Sequence, residues 1–180
     1  MGYINYEQVF NKYSKNDFVM HGINMLKKYD YYHLLRDSSI VKSQRIADTF
    51  RGLSSEYLAW MSVCGGGYLF DTVLLSIEEY DNELDLSFDT LQELNAEESK
   101  NSFGIPNGYF IIAIRSYGDP ICLSRSDKKV HLWDCEEGRF TAEWESFYDF
   151  LIDEISSSLE LIANGDLFPI PIKVPDDEMI

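Results

Sequence analysis

The chain has 180 residues, 45% apolar and 14% aromatic, enough for one compact domain with a real core and too rich in aromatics for a disordered segment. Its 31 acidic residues against 15 basic ones give a net charge of −16, which argues against nucleic acid as a ligand and favours a basic protein partner. No run approaches the roughly 18 apolar residues of a membrane span. The start, MGYINYEQVFNKYSKNDF, lacks the apolar stretch of a secretory leader, so the expected compartment is the cytoplasm, with no membrane partner.

Residues 1–42 read as a helical extension packed on the domain. Phe18, Met20, Ile23, Met25, Leu26 and Tyr29 include helical spacings, and Tyr31, Tyr32, Leu34 and Leu35 continue the apolar face. A short helix through Arg45, Ile46, Ala47 and Phe50 stops near Gly52. Ser54 or Ser55 then caps a second helix, in which Tyr57, Trp60, Met61 and Cys64 fall at i, i+3, i+4 and i+7.

Gly65, Gly66 and Gly67 come next, and three glycines in a row raise the question of a phosphate cradle. Such loops run from strand through glycine to helix, because the anion needs the positive end of the helix that follows. Here the order is reversed. A helix precedes the glycines, and an aliphatic run that reads as one strand, LFDTVLLSI (69–77), follows them, so the loop lies at the negative end of the helix dipole. No Lys or Arg occurs between Arg51 and Lys100 to neutralise an anion. The glycines are therefore read as a sharp turn from helix to strand.

Residues 52–99 hold eleven acidic residues and no basic one. Within them Asp81, Glu83 and Asp85 alternate as at the start of a calcium loop, but Leu86 and Gln92 stand where that loop needs Gly and Glu, which leaves a solvated acidic loop. Thr90 and Glu93 have capping-box spacing for a helix carrying Leu91 and Leu94. YFIIAIR (109–115), PICLS (120–124) and KKVHLWD (128–134) then read as three strands, with spacers short enough to require antiparallel hairpins. Asp134, Glu136 and Glu137 in WDCEEG fall in a hairpin edge or loop. Trp144, Phe147, Tyr148, Leu151, Ile155, Leu159 and Ile162 form a helical stripe ending at Asn164 and Gly165, and Glu143 and Glu145 complement the dipole at its start. The tail, 164–180, carries Pro169, Pro171 and Pro175 and cannot extend that helix. The fold class is α+β: an antiparallel meander over 43–163, flanked by N-terminal helices and closed by a C-terminal helix.

Cys64, Cys122 and Cys135, like His21, His33 and His131, are too scattered for a disulfide framework, a metal site or a local catalytic signature, and no GxSxG elbow occurs. No catalytic residue, metal, cofactor or small-molecule substrate is expected, and the chain is not read as an enzyme.

Three stretches taken together resemble the SUKH superfamily, which contains bacterial toxin-immunity proteins and fungal regulators of cell-wall glucan synthesis. The first is the helix and glycine segment with Leu53, Tyr57, Trp60 and Gly65, Gly66 and Gly67. The second is the strand pair with Gly118, Asp119, Val130, Leu132, Trp133 and Asp134. The third is the closing helix with Ser146, Phe147, Phe150 and Leu151. The likeness covers roughly residues 43–160. It implies a non-enzymatic antitoxin that binds a cognate toxin, often a nuclease; the alternative is a regulatory or scaffold module of the same fold. A nuclease cleft is basic because it holds phosphates, so carboxylates can take their place. The candidate contacts are Asp81, Glu83, Asp85, Glu136 and Glu137, for which an ordinary solvated face is the plainer account.

Overall fold

Where a spacer of a few residues joins two apolar runs there is no room for a crossover helix, so those strands must pair antiparallel. The computed structural model describes residues 17, 19, 32–35, 52–61, 66–75 and 90–164. Among these, seven strands form one sheet in simple chain order, each antiparallel to the next: β1 Tyr32–Leu35, β2 Gly66–Leu69, β3 Thr72–Leu74, β4 Tyr109–Arg115, β5 Pro120–Ser124, β6 Val130–Asp134 and β7 Arg139–Trp144. Four helices accompany them: α1 Ser55–Met61, α2 Leu91–Leu94, α3 Glu97–Phe103 and α4 Phe147–Asn164. The architecture is α+β, a meander closed by a C-terminal helix.

The core lies between the sheet and its helices. Phe147, Phe150, Leu151, Ile155 and Leu159 of α4 are buried, with Tyr57 of α1 meeting Phe147 edge-on at 5.0 Å. Burying each large apolar side chain contributes about 1.5–3 kcal/mol. Ser54 caps α1, its hydroxyl accepting from the Tyr57 amide at 3.1 Å. Trp144 fastens α4 to β7 by donating its indole N–H to Asp153 at 2.9 Å. Trp133 does the same for α3, donating to the Phe103 carbonyl at 2.8 Å.

The structure corrects the sequence reading at four places. Tyr32–Leu35, read as part of a helical face, is a strand paired with β2. The run 69–77, read as a single strand, begins at the end of one strand and turns at residues 70–71 into β3, with Phe70 at φ 56°. Gly66 and Gly67 do not turn the chain but lie buried within β2 at φ 123° and 137°, a region that side chains with a Cβ seldom enter. Finally, β7 was not expected. Trp144 ends that strand rather than opening the last helix, and Glu143 and Glu145 bind Lys129 instead of serving the helix dipole.

β7 also carries a bulge. Trp133 pairs with Phe140 while Leu132 pairs with Ala142, so Thr141 is the extra residue. The shift places Phe140 on the face of His131 and Trp133, with ring centroids 5.0 and 4.9 Å away.

The readings for residues 18–29, for the short helix around residues 45–50 and for the tail beyond Asn164 lie outside the described residues.

Candidate functional site

A meander sends alternate turns to opposite ends of its sheet. The turns at residues 70–71, 116–119 and 135–138 thus share one end, and hydrogen bonds tie them together. The Ser116 amide donates to the Asp71 carbonyl at 2.6 Å, and the Cys135 amide donates to Asp119 Oδ1 at 3.1 Å. The middle turn is braced from within by Gly118 N–H to the Arg115 carbonyl at 2.8 Å and Arg115 N–H to the Asp119 carbonyl at 2.9 Å. Gly118 sits there at φ 103°, which explains its place in the Gly-Asp motif. Asp119 earns its place by a different route, as the link to the next turn.

Of the expected contact residues, Glu136 and Glu137 occupy the third turn, both exposed. Glu137 is already engaged: its carboxylate accepts from Arg139 Nε at 2.6 Å, and its amide donates to Asp134 Oδ1 at 2.8 Å. Asp81, Glu83, Asp85 and Gly65 lie outside the described residues. Leu53, Tyr57, Trp60, Trp133, Phe147 and Phe150 are all buried in the core.

Beneath the turns lies a network that the sequence did not announce. Arg115 grips Glu154 of α4 with two bonds, Nη1 to Oε2 and Nη2 to Oε1, both 2.6 Å, and reaches Asp71 Oδ1 at 3.0 Å. Thr72 Oγ1 donates to Glu154 Oε2 at 2.7 Å and accepts from Arg115 Nη1 at 2.7 Å. The side chains of Arg115 and Glu154 are only 12% and 7% exposed. Burial pulls the guanidinium down, but its hydrogen bonds and attraction to Glu154, reinforced by Asp71, more than reverse this, so Arg115 stays charged. For Glu154 burial prevails over the pull of Arg115 and Thr72 and leaves the carboxyl above its ordinary value. The bidentate geometry nonetheless fits an ionised pair. One signal was available in the sequence: Glu154 lies three residues beyond Leu151 and one before Ile155, an acid on an apolar stripe.

The opposite end of the sheet holds most of the described basic groups, and they too are committed. Lys100 Nζ donates to the Tyr109 carbonyl at 2.7 Å, and Lys128 Nζ to the Gly52 carbonyl at 2.8 Å. Arg125 stacks over the Phe110 ring at 4.3 Å. Lys129 joins Glu143 and Glu145 at 2.6 and 2.8 Å.

Burial pushes the Cys122 thiol up to about 12, and burial followed by the Asp119 charge raises Cys135, so both remain thiols at neutral pH. Among the described residues no three His, Cys, Asp or Glu side chains gather as metal ligands would, and no helix is long and apolar enough to cross a membrane.

Helix, glycine segment, strand pair opened by a Gly-Asp turn and closing helix follow one another in the order on which the resemblance to the SUKH superfamily rests. A family model described as SUKH_6, SMI1-KNR4 cell-wall, matches residues 52–151, more than half of the chain. The chain belongs to this family, whose membership supports a protein-interaction or immunity-type role. No curated protein and no solved structure matches it.

Proposed function

We propose that the chain is a cytoplasmic immunity protein, which binds and neutralises a cognate toxin domain bearing a basic surface, such as a nuclease. The observation that carries this reading is the turn end. Three turns are held in one frame and carry the half-buried Asp71 and Asp119 and the exposed Glu136, while the cation beneath them, Arg115, is matched by the buried Glu154 and by Asp71. A basic cleft evolved to hold phosphates would meet carboxylates there. Complementary charge would steer the encounter, at up to about 10⁸–10⁹ M⁻¹s⁻¹ at low salt. Asp81, Glu83 and Asp85, outside the described residues, would add to the chain's net negative charge. On this reading the chain needs no cofactor and performs no catalysis; it works by occupying its partner.

The cell-wall description of the matched family favours a second reading, a regulatory or scaffold module without a toxin. Co-expression separates the two. The C-terminal module of the protein encoded immediately upstream of this chain should be toxic alone and harmless beside it. A harmless module, or toxicity undiminished by this chain, overturns the immunity reading. Under the same reading, Asp81→Asn, Glu83→Gln and Asp85→Asn together should slow association with the module and flatten its salt dependence. An unchanged on-rate would place the contact elsewhere.

A further inference from the structure

Among the described residues Tyr117 is the one large hydrophobic side chain that is exposed, at 64%. The other aromatic rings described in the sheet and helices are buried or half-buried. A lone exposed aromatic is common on protein surfaces, but the setting of this one is specific. It sits at the tip of the β4–β5 turn, the middle of the three tied turns, where its backbone is held on both sides. Gly118 N–H and Arg115 N–H close the turn, and Ser116 N–H anchors it to Asp71. The backbone that carries the ring therefore needs little further ordering on binding. Beside it is room: a Cβ built at Gly118 meets nothing within 4 Å. Asp71 is tied to this turn by the Ser116 amide and Asp119 belongs to it, Glu136 is exposed on the adjoining turn, and the cation beneath, Arg115, is already paired with Glu154 and Asp71.

An open aromatic face next to carboxylates is the arrangement that suits a guanidinium. The planar cation stacks on the ring while its N–H groups donate to the acids; a Lys ammonium uses the same acids but stacks less well. The geometry points to Tyr117 as the anchor of the protein contact proposed above, received by an arginine-bearing segment of the basic partner. Asp71, Asp119 and Glu136 form the rim that selects positive charge. This inference rests on the immunity reading, and it adds which residue holds the partner and what chemistry it holds.

The test uses the full chain and the purified C-terminal module encoded upstream, with association and dissociation followed separately. Tyr117→Ala should raise Kd about tenfold or more, mainly through faster dissociation, because buried aromatic anchors dominate interface energy. Tyr117→Phe should bind nearly as wild type, since the ring and not the hydroxyl carries the contact. Glu136→Gln should instead slow association. The thermal unfolding of Tyr117→Ala should match wild type, as expected for a side chain that is 64% exposed, so a binding loss cannot be ascribed to misfolding. Equal dissociation rates for Tyr117→Ala and wild type would overturn the anchor while leaving the immunity reading intact. A wild-type chain that does not bind the module overturns both.

Discussion

Two cations at opposite ends of the sheet, Arg115 and Lys129, are held in opposite ways. At the turn end Arg115 is sunk under the surface, clasped by Glu154 and Thr72, and its charge is cancelled within the fold. At the other end Lys129 lies at the surface, 27% exposed, between Glu143 and Glu145, which are 49% and 77% exposed. An ion pair in water gains little, because solvent screens it and two long side chains must be held still. A buried pair contributes little more than its apolar replacement would, yet it is costly to break, since the orphaned charge has no water to turn to. The difference lies in what happens when one partner is removed, and substitutions can measure it.

The largest effect is expected from Glu154→Ala. It strips Arg115 of its bidentate partner and should cost about 3–5 kcal/mol, read from urea unfolding. Replacing both residues, Arg115→Met with Glu154→Leu, should recover most of that loss, because no buried charge is then stranded. If Glu154→Ala were as mild as a substitution at Lys129, the contrast between the two pairs would disappear.

A smaller effect is expected midway along β4. β3 stops at Leu74, and the Leu75 amide makes the next bond to the Ile112 carbonyl at 3.1 Å. From there Asn95 takes over as a one-residue strand. Its Oδ1 accepts from the Ile111 amide at 2.9 Å, and its Nδ2 donates to the Ile111 carbonyl at 2.7 Å. Asn95→Ala leaves both backbone groups unpaired and should cost about 1–3 kcal/mol, with faster hydrogen exchange at the Ile111 amide. Asn95→Asp should not rescue it, since an oxygen would then face the Ile111 carbonyl where the Nδ2 donor stood. A variant with wild-type exchange at Ile111 would show that water replaces the side chain without loss.

Next comes the cap of α2. Thr90 Oγ1 accepts from the Glu93 amide at 3.1 Å, and Glu93 Oε2 accepts from the Thr90 amide at 2.8 Å, a closed capping box. Thr90→Ala should cost about 1 kcal/mol. The Thr90 amide first, and its hydroxyl second, hold the Glu93 carboxyl below its ordinary value. With the folded value below the unfolded one, the contribution of Glu93 is complete above the unfolded pKa, about 4.3, and lost as pH falls through the folded value. Glu93→Gln should therefore flatten the stability profile below about pH 4.3. A profile still parallel to wild type there would assign the acid sensitivity to other groups.

These sites also show which parts of the molecule the sequence made legible. YFIIAIR and PICLS coincide with β4 and β5 because alternating or continuous apolar runs end at unmistakable turns, and the Thr90 box needs only local spacing. The hairpin at residues 70–71 was hidden because it has neither Gly nor Asn; Phe70 takes the positive φ itself. Gly66 and Gly67 looked like a turn because glycine is depleted in strands. In β7 the bulge at Thr141 breaks the period of two, and Trp144 happens to fall three and four residues before Phe147 and Tyr148, the spacing of a helix. As for the candidate site, Glu136 and Glu137 were legible as a turn, whereas the neighbours that complete it, Asp71 and Tyr117, reach it only through pairings far apart in sequence.

The smallest effect on stability is expected from Lys129→Ala, and it is informative for that reason. Its bonds to Glu143 and then Glu145 push the ammonium upward, yet in solvent such a pair is screened, so the unfolding midpoint should hardly move. His131 should register the change instead. Its Nδ1 lies 3.6 Å from Glu143, the same carboxylate that Lys129 occupies, and its Nε2 is buried without a hydrogen-bond partner among the described residues. Burial holds the imidazole below its ordinary value, Glu143 and Asp127 pull it up, and Lys129 pulls it down. Removing Lys129 takes away a repulsion and frees Glu143, so the His131 titration followed by NMR should shift upward. The sign for stability follows. A histidine whose folded value is depressed stabilises the fold above its unfolded pKa, about 6.5, and loses that contribution as pH falls through the folded value. Lys129→Ala should therefore lessen the acid-side loss between those two values. A His131 titration that stays in place would show that Glu143 does not act on the imidazole, and that the exposed cluster and the aromatic face behind it are independent.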